Sequence, residues 1–240
     1  MRTSRVKLWV IVGVILSLLA CSNKNKDEVS LYITRLRFGN PSIREDAAHA
    51  LGDIAMGGST DLRLLRPLVA ALRDPSPGVR GSAAWALGHV GDARAVRPLI
   101  RRLRNRNPDV RHWAAWALGE IGDPRAVKPL EKRVYNETDW NARSQARDAL
   151  GKIKDSSSVN ALVRIFKKED EFVGKLCAGC TLGDIGPLAT DALLEILHEE
   201  KDDETRSIAA KALGTTNDPR AVQPLIQLLD DWGYWTVKEA

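Results

Sequence analysis

Aromatic residues and cysteines are scarce in this sequence. Aromatic side chains make up 5% of the 240 residues, although 7 of the 13 are tryptophan, the residue type most enriched at contact surfaces. The 3 cysteines include one C-x-x-C pair, and no strand pattern precedes it, so thioredoxin-like redox chemistry is not predicted. Charged residues make up 28% of the chain, which excludes a bundle embedded in a membrane.

The first 20 residues predict a signal peptide. Three basic residues precede an apolar run over residues 8–20, which is too short to cross a hydrocarbon core of about 30 Å. The ending LLAC at residues 18–21 resembles the bacterial lipobox, in which the cysteine receives a diacylglyceryl group and becomes the new N-terminus. We therefore expect lipidation at Cys21 and export to the bacterial cell envelope, either facing the periplasm or at the outer membrane. An uncleaved membrane anchor is the alternative.

The residues after the lipobox are polar and predict a flexible tether, so that residues 21–40 comprise the lipidated cysteine and the tether. Loss of the signal peptide would remove 3 basic residues, leaving 33 basic and 31 acidic residues. The high isoelectric point of about 9.2 therefore gives little support to a nucleic-acid partner.

A Leu-Gly pair recurs six times along the remainder of the chain. The leucines of these pairs are Leu51, Leu87, Leu118, Leu150, Leu182 and Leu213, with spacings of 36, 31, 32, 32 and 31 residues. In the copy NPDVRHWAAWALGEIGDPRAVKPL, two apolar patterns of helical period lie on either side of a Gly-Asp-Pro turn. Each repeat is therefore predicted to be a helical hairpin that buries its apolar stripe against its neighbours.

The phrase VRxxAAxALGxIGDxRAVxPLI and its near copies resemble the short HEAT-like repeat named after phycobilisome lyases. The resemblance covers residues 41–240 and implies an all-α fold, a right-handed α-solenoid of about six hairpins. It implies little about function, because the same unit serves in lyases, in a di-iron hydroxylase and in scaffolds.

One column of the repeat is basic, seven residues before each marker leucine: Arg44, Arg80, Arg111, Arg143, Lys175 and Arg206. A ladder of positive charge could follow a polyanion. The family resemblance instead implies a structural role, with bonds to loop carboxylates and carbonyls such as those of Asp74 and Asp109.

A second column marks the exposed side of the second helix in each hairpin, about 100° or more from the apolar stripe. In solenoids of this family that side lines the concave surface. The column predicts a partner-binding site formed by Trp85, His89, Trp113, Trp116 and Glu120. The alternative is that the tryptophan rings only fill the inner groove.

No catalytic residues, cofactor or metal site are predicted. The hydroxylase of this repeat class needs His-Glu dyads from several repeats, and here only His198 is followed by a glutamate. The thiols of Cys177 and Cys180 are candidates for a disulfide in an oxidising compartment, for two of three ligands of a metal site with Asp184, or for inert cysteines.

Charge is uneven along the repeats: residues 61–133 contain 15 basic and 7 acidic residues, and residues 155–240 contain 9 and 16. This asymmetry could support head-to-tail pairing, attraction of an acidic partner or contact with anionic lipid, or it could be a solvated outer face. Taken together, the sequence predicts a non-catalytic protein-binding or scaffold module whose protein partner is unidentified. An enzyme of the lyase or hydroxylase type using the same groove is the alternative.

Overall fold

The computed structural model describes residues 28–59 and 61–228, and over these residues all regular secondary structure is helical. The helices pair into six hairpins stacked along the chain, which confirms the predicted all-α solenoid. The predicted signal peptide over residues 1–20, the lipidation site Cys21 and the last residues of the chain lie outside the described part.

The first helices of the hairpins are α1 over residues 28–38, α3 (Leu65–Ala71), α5 (Val96–Arg102), α7 (Val127–Asn136), α9 (Ser156–Lys168) and α11 (Thr190–Glu199). The second helices are α2 (Pro41–Met56), α4 (Pro77–Val90), α6 (Pro108–Ile121), α8 (Trp140–Ile153), α10 (Phe172–Ile185) and α12 (Asp203–Thr215). A further helix begins at residue 222 and is described to residue 228. Every marker leucine lies on a second helix, as the repeat predicts.

The start of the array differs from the prediction. Residues 28–38, expected within the tether of residues 21–40, form α1, in which Val29 and Leu36 are buried. Tyr32 and Ile33 pack against the same core. These four residues follow helical spacing and complete the first hairpin, so the tether is at least 11 residues shorter than predicted.

The ends of the second helices follow from local sequence. At the start of α6 the Asn107 side chain accepts a hydrogen bond from the Val110 amide at 3.1 Å, and Pro108 occupies the first helical position, where no amide donor is needed. Gly122 ends the helix at φ 70°, a left-handed conformation that glycine adopts without strain. Gly91 ends α4 in the same way at φ 67°.

The Gly-Asp-x-Arg phrase forms the turn between helices. The Asp123 side chain accepts a hydrogen bond from the Arg125 amide at 2.9 Å and pairs with the Arg125 guanidinium at 2.6 Å. The side-chain bond from Arg125 is the main cause that lowers the pKa of Asp123. Arg125 also donates to the Ala93 carbonyl of the preceding repeat at 3.1 Å. The turn therefore joins one hairpin to the next.

The basic column is structural, as the resemblance implied. Arg44 forms a two-pronged contact with Asp74 of the next loop, at 2.7 and 2.9 Å, and Arg80 donates to the Asp74 carbonyl at 2.7 Å. The expectation that Asp109 pairs with the basic column is wrong. Arg111 instead pairs with the fully buried carboxylate of Glu137 at 2.6 Å. Lys175 departs from the carboxylate pattern and donates to Thr205 at 3.1 Å.

The marker glycines allow neighbouring second helices to approach closely. A Cβ on Gly119 would lie 2.9 Å from the Ala149 Cα of the next repeat, inside the distance that carbon atoms tolerate. A Cβ on Gly88 would lie 3.0 Å from the Ala117 Cα. The Leu-Gly pair thus combines a buried leucine with a backbone contact between repeats.

Candidate partner-binding face

Six ring side chains on α2, α4 and α6 form one continuous row, which we call the aromatic row. In spatial order its members are His49, Trp85, His89, Trp116, Trp113 and His112. Successive ring centroids lie 4.1, 4.6, 5.0, 5.9 and 5.1 Å apart; the last four distances lie within the usual range of aromatic contacts and the first is slightly shorter.

Helical spacing places the rings side by side. Trp85 and His89 are four residues apart on α4, and Trp113 and Trp116 are three apart on α6, so each pair shares one helix face. Contacts between helices then join the pairs: His49 of α2 stacks on Trp85 at an interplanar angle of 28°, and His89 meets Trp116 at 56°. The row therefore crosses three hairpins.

The tryptophan rings are half-buried, because each lies on a glycine of the preceding second helix. A Cβ on Gly52 would overlap the Trp85 ring, a Cβ on Gly88 would overlap the Trp116 ring, and a Cβ on Gly81 would lie 3.3 Å from Trp113 Cδ1. All three rings also pack against the hydrophobic core. Each ring thus joins two repeats and keeps part of its surface exposed.

Charged groups lie at one end of the aromatic row. Glu120 of α6, predicted to flank the tryptophans, forms an ion pair with Lys152 of α8. The Lys152 ammonium is also 5.8 Å from the Trp116 ring centroid, a distance compatible with cation–π attraction. Asp148, on the same helix as Lys152, has its pKa raised by desolvation in the groove, although nearby cationic groups oppose the shift.

The structure brings all five predicted contact residues to this one face. It adds three residues that were not among these five: His49 and His112 at the two ends of the row, and Lys152. His49 and Lys152 stand on the predicted column of exposed positions, whereas His112 does not. Lys152 follows Glu120 by 32 residues, the spacing of the repeat, so the repeat register was a signal for it. The rings of His112 and its neighbour Trp113 meet at an interplanar angle of 87°. The register of the repeat gives no signal for this contact.

The C-x-x-C pair lies on α10, two hairpins beyond the aromatic row. Both thiols are free in the structure, with Cys177 half-buried and Cys180 exposed. Among the described residues, no three His, Cys, Asp or Glu side chains are grouped so that they could hold a metal ion. The described helices also include none that is long and apolar enough to cross a membrane.

Comparison with family models matches HEAT repeats over residues 65–151, 134–207 and 180–240. The chain belongs to the HEAT-repeat family. No curated protein matches it. The resemblance seen in the sequence is thus confirmed for the fold.

Solved structures similar to this HEAT-repeat chain share its architecture at low identity. The complex of CpcE and CpcF of phycocyanin lyase from Nostoc sp. PCC7120 is 24% identical, with a TM-score of 0.56, and the match covers 81% of this chain and 79% of that one. An engineered protein is 24% identical at a TM-score of 0.55, covering 78% and 96% of the two chains. A designed armadillo repeat protein in complex with peptide (KR)4 is 19% identical at 0.50, covering 78% and 98%. These similarities identify the fold.

Proposed function

We propose that this HEAT-repeat chain is a non-catalytic protein-binding or scaffold module that is anchored to a bacterial envelope membrane through a lipid on Cys21. The observation behind the binding role is the aromatic row. Half-buried rings that hold two repeats together are already ordered, so a partner that covers their free sides loses little additional side-chain entropy.

The groups around the row favour a partner segment that presents cationic or apolar side chains. Indole faces attract ammonium and guanidinium groups, and Lys152 already occupies such a position beside Trp116. The carboxylate of Asp53 lies one turn after His49 on α2, 3.9 Å from its ring nitrogen, and Asp148 of α8 occupies the repeat position of Trp116, 32 residues later. The similar designed armadillo repeat protein is in complex with peptide (KR)4, which is a precedent for a basic peptide bound to stacked helical repeats.

The test is capture of partners from the envelope fraction by the full chain and by two single variants. Trp113→Ala removes a ring from the aromatic row, whereas the matched control Trp140→Ala removes an exposed ring at the start of α8, outside the row. We expect Trp113→Ala to lose defined proteins that the wild type and Trp140→Ala retain, with affinity reduced by about 2 kcal/mol. Equal capture by both variants, at equal folded fractions by circular dichroism, would remove the row from the binding site.

The alternative is an enzyme of the lyase or hydroxylase type that uses the same face. The similarity to the phycocyanin lyase complex is the observation that favours it. Turnover of a tetrapyrrole substrate by the purified full chain, abolished in Trp113→Ala and retained in Trp140→Ala, would establish the enzyme in place of the scaffold.

A further inference from the structure

A second surface lies on the opposite layer of the hairpins, formed by the first helices α3, α5 and α7. Seven exposed basic residues lie on these helices or in the turns that follow them, and we call this surface the basic face. Its members are Arg66, Arg73, Arg97, Arg101, Arg104, Lys128 and Lys132.

The repeat makes this surface regular. Arg66, Arg97 and Lys128 each directly precede the Pro-Leu pair of their helix, and Arg101 and Lys132 each follow its proline by three residues. Equivalent positions on neighbouring first helices point to the same side, and packed helices are about 10 Å apart. The basic groups therefore form a grid and not a single cluster.

The charge of the grid is uncompensated among the described residues. The helices α3, α5 and α7 contain one carboxylate, Glu131, and it is paired with Arg164 of α9 at 2.7 Å. Within residues 28–59 and 61–228, none of the seven basic side chains forms an ion pair or a hydrogen bond. The arginines in the turns, such as Arg94 and Arg125, are by contrast paired with the aspartate two residues before them.

Like charges here are close enough to affect one another. Burial lowers the pKa of Arg102 on α5, and the charges of Arg80, Arg73 and Arg101 lower it further. A surface that repels its own cations gains free energy when an anion approaches.

Between α5 and α7 the basic face contains a groove of about 440 Å³. Ile100, Leu103 and Pro129 form its apolar wall, and the groups at its rim include Arg104, Lys128 and Lys132. An apolar wall with a cationic rim matches a phosphate head group attached to hydrocarbon.

The sign of the charge reverses along the same layer. On α11, Asp191 and Glu195 occupy the positions that Arg97 and Arg101 occupy on α5. At the other end of the layer, α1 lies beside α3, where Leu36 and Pro67 line a common cavity. Residue 28 is thus on the basic side of the array, and Cys21, seven residues before it, is within about 25 Å of chain length.

We propose that the basic face binds an anionic phospholipid surface and lays the first helices of the N-terminal half on the bilayer. This surface is separate from the aromatic row, which lies on the second helices and remains free for a partner. The proposal goes beyond the proposed function and does not require that Cys21 is lipidated.

The experiment measures lysine acetylation by mass spectrometry on the full chain in vesicles. Vesicles of phosphatidylcholine alone are compared with vesicles that also contain phosphatidylglycerol. Lys128 and Lys132 are the reporters, and the exposed Lys201 and Lys211 of the acidic half are internal references. We expect the reporters to be protected only by the anionic vesicles, with no change at the references.

Charge variants then test which groups are responsible. The double variant Arg97→Gln with Arg101→Gln should lower the binding constant for anionic vesicles, measured by protection of the reporters, by about 25-fold. This corresponds to about fivefold for each charge removed. The matched control, Lys201→Gln with Lys211→Gln, makes the same change in net charge and should leave the reporters protected. Protection should also fall as salt is raised from 0.1 to 1 M, because the screening length shrinks from about 10 to about 3 Å.

Equal acetylation of Lys128 and Lys132 in the two kinds of vesicle at low salt would overturn the proposal. Protection by polyglutamate in solution without protection by anionic vesicles would also overturn it, in favour of an acidic protein on this face. Protection that persists in Cys21→Ser supports the basic face even if no lipid is found on Cys21, so the two proposals fail separately.

Discussion

The indole ring of Trp116 lies on the backbone of Gly88 in the preceding repeat, at the point where a Cβ on that glycine would overlap the ring. This contact links the marker of one repeat to the contact residue of the next. It explains why glycine follows the buried leucine at this position and why the tryptophan is only half-exposed.

Gly88→Ala should therefore destabilise the chain by about 1–3 kcal/mol, because the added methyl group displaces Trp116 or separates α4 from α6. Gly214→Ala is the matched control, since among the described residues a Cβ on Gly214 meets no atom of another element within 4 Å. There the better helix propensity of alanine should be neutral or stabilising by up to about 1 kcal/mol. Urea unfolding of both variants measures the difference, and equal effects would contradict the close approach at Gly88.

Trp85→Ala and Trp116→Ala should each lower the free energy of unfolding by about 2 kcal/mol. This is below the 3–5 kcal/mol typical of a fully buried tryptophan, because both rings are only half-buried. Chemical denaturation gives the value. A change near zero would identify fully exposed rings, and a loss above about 4 kcal/mol would identify ordinary core residues.

Arg147 is only 1% exposed, and none of its three guanidinium nitrogens has a hydrogen-bond partner among the described residues. Its guanidinium carbon lies 5.8 Å from the centroid of the Trp140 ring. Since an unpaired buried charge is costly, Arg147→Met should stabilise the chain by about 1–3 kcal/mol. A lower melting temperature for this variant would show that the charge is satisfied.

Arg111→Met is the contrasting substitution, because it removes the main partner of the fully buried Glu137 carboxylate. Burial favours a higher pKa for Glu137, but bonds from Arg111 and from the Asp139 amide hold the pKa below its ordinary value. Breaking such a pair from one side should cost about 3–5 kcal/mol. The two arginine variants should thus shift the melting temperature in opposite directions.

The stability of the last described turn should depend on acid. Side-chain and backbone hydrogen bonds from Arg220 lower the pKa of Asp218 from 3.8 to about 2. Between these values the unfolded chain binds the additional proton, so stability rises with pH there and is complete above the ordinary pKa. We expect Asp218→Asn to flatten the loss of stability from pH 4 to pH 2, as measured by thermal melts. An unchanged slope would show that Asp218 is not the titrating group.

Cys21→Ser should abolish incorporation of labelled fatty acid in bacteria and leave the precursor unprocessed. The double variant Cys177→Ser with Cys180→Ser keeps the lipobox and should incorporate label like the wild type. Label retained in Cys21→Ser and lost in the double variant would contradict the lipoprotein proposal.

Much of the fold follows directly from the sequence because a hairpin repeat is a local pattern. The marker leucines, the caps such as Asn107 and the turn aspartates each act within about ten residues of chain. The helix over residues 28–38 was not predicted because α1 carries no Leu-Gly marker. Its four apolar residues also stand beside a polar segment whose composition is typical of a flexible tether.

The site was only partly predictable because it depends on contacts between repeats. The column of exposed positions identified Trp85 and Trp116, but the support that each ring receives from Gly52 or Gly88 requires the distance between second helices. The contact of His49 with Trp85 depends on that same distance. Arg147 stands where the two neighbouring repeats have the small residues Ala115 and Gly179, and the repeat pattern gives no reason for its burial.

Because each tryptophan ring lies against a glycine of the preceding repeat, the geometry of the aromatic row depends on the curvature of the array. Each ring is fixed by two hairpins, so a change in the angle between hairpins must slide the indoles over the glycines beneath them and alter the gaps between rings. A partner that contacts the whole row would fix the angle between hairpins across three repeats. Bending of the array and occupancy of this face should therefore be coupled.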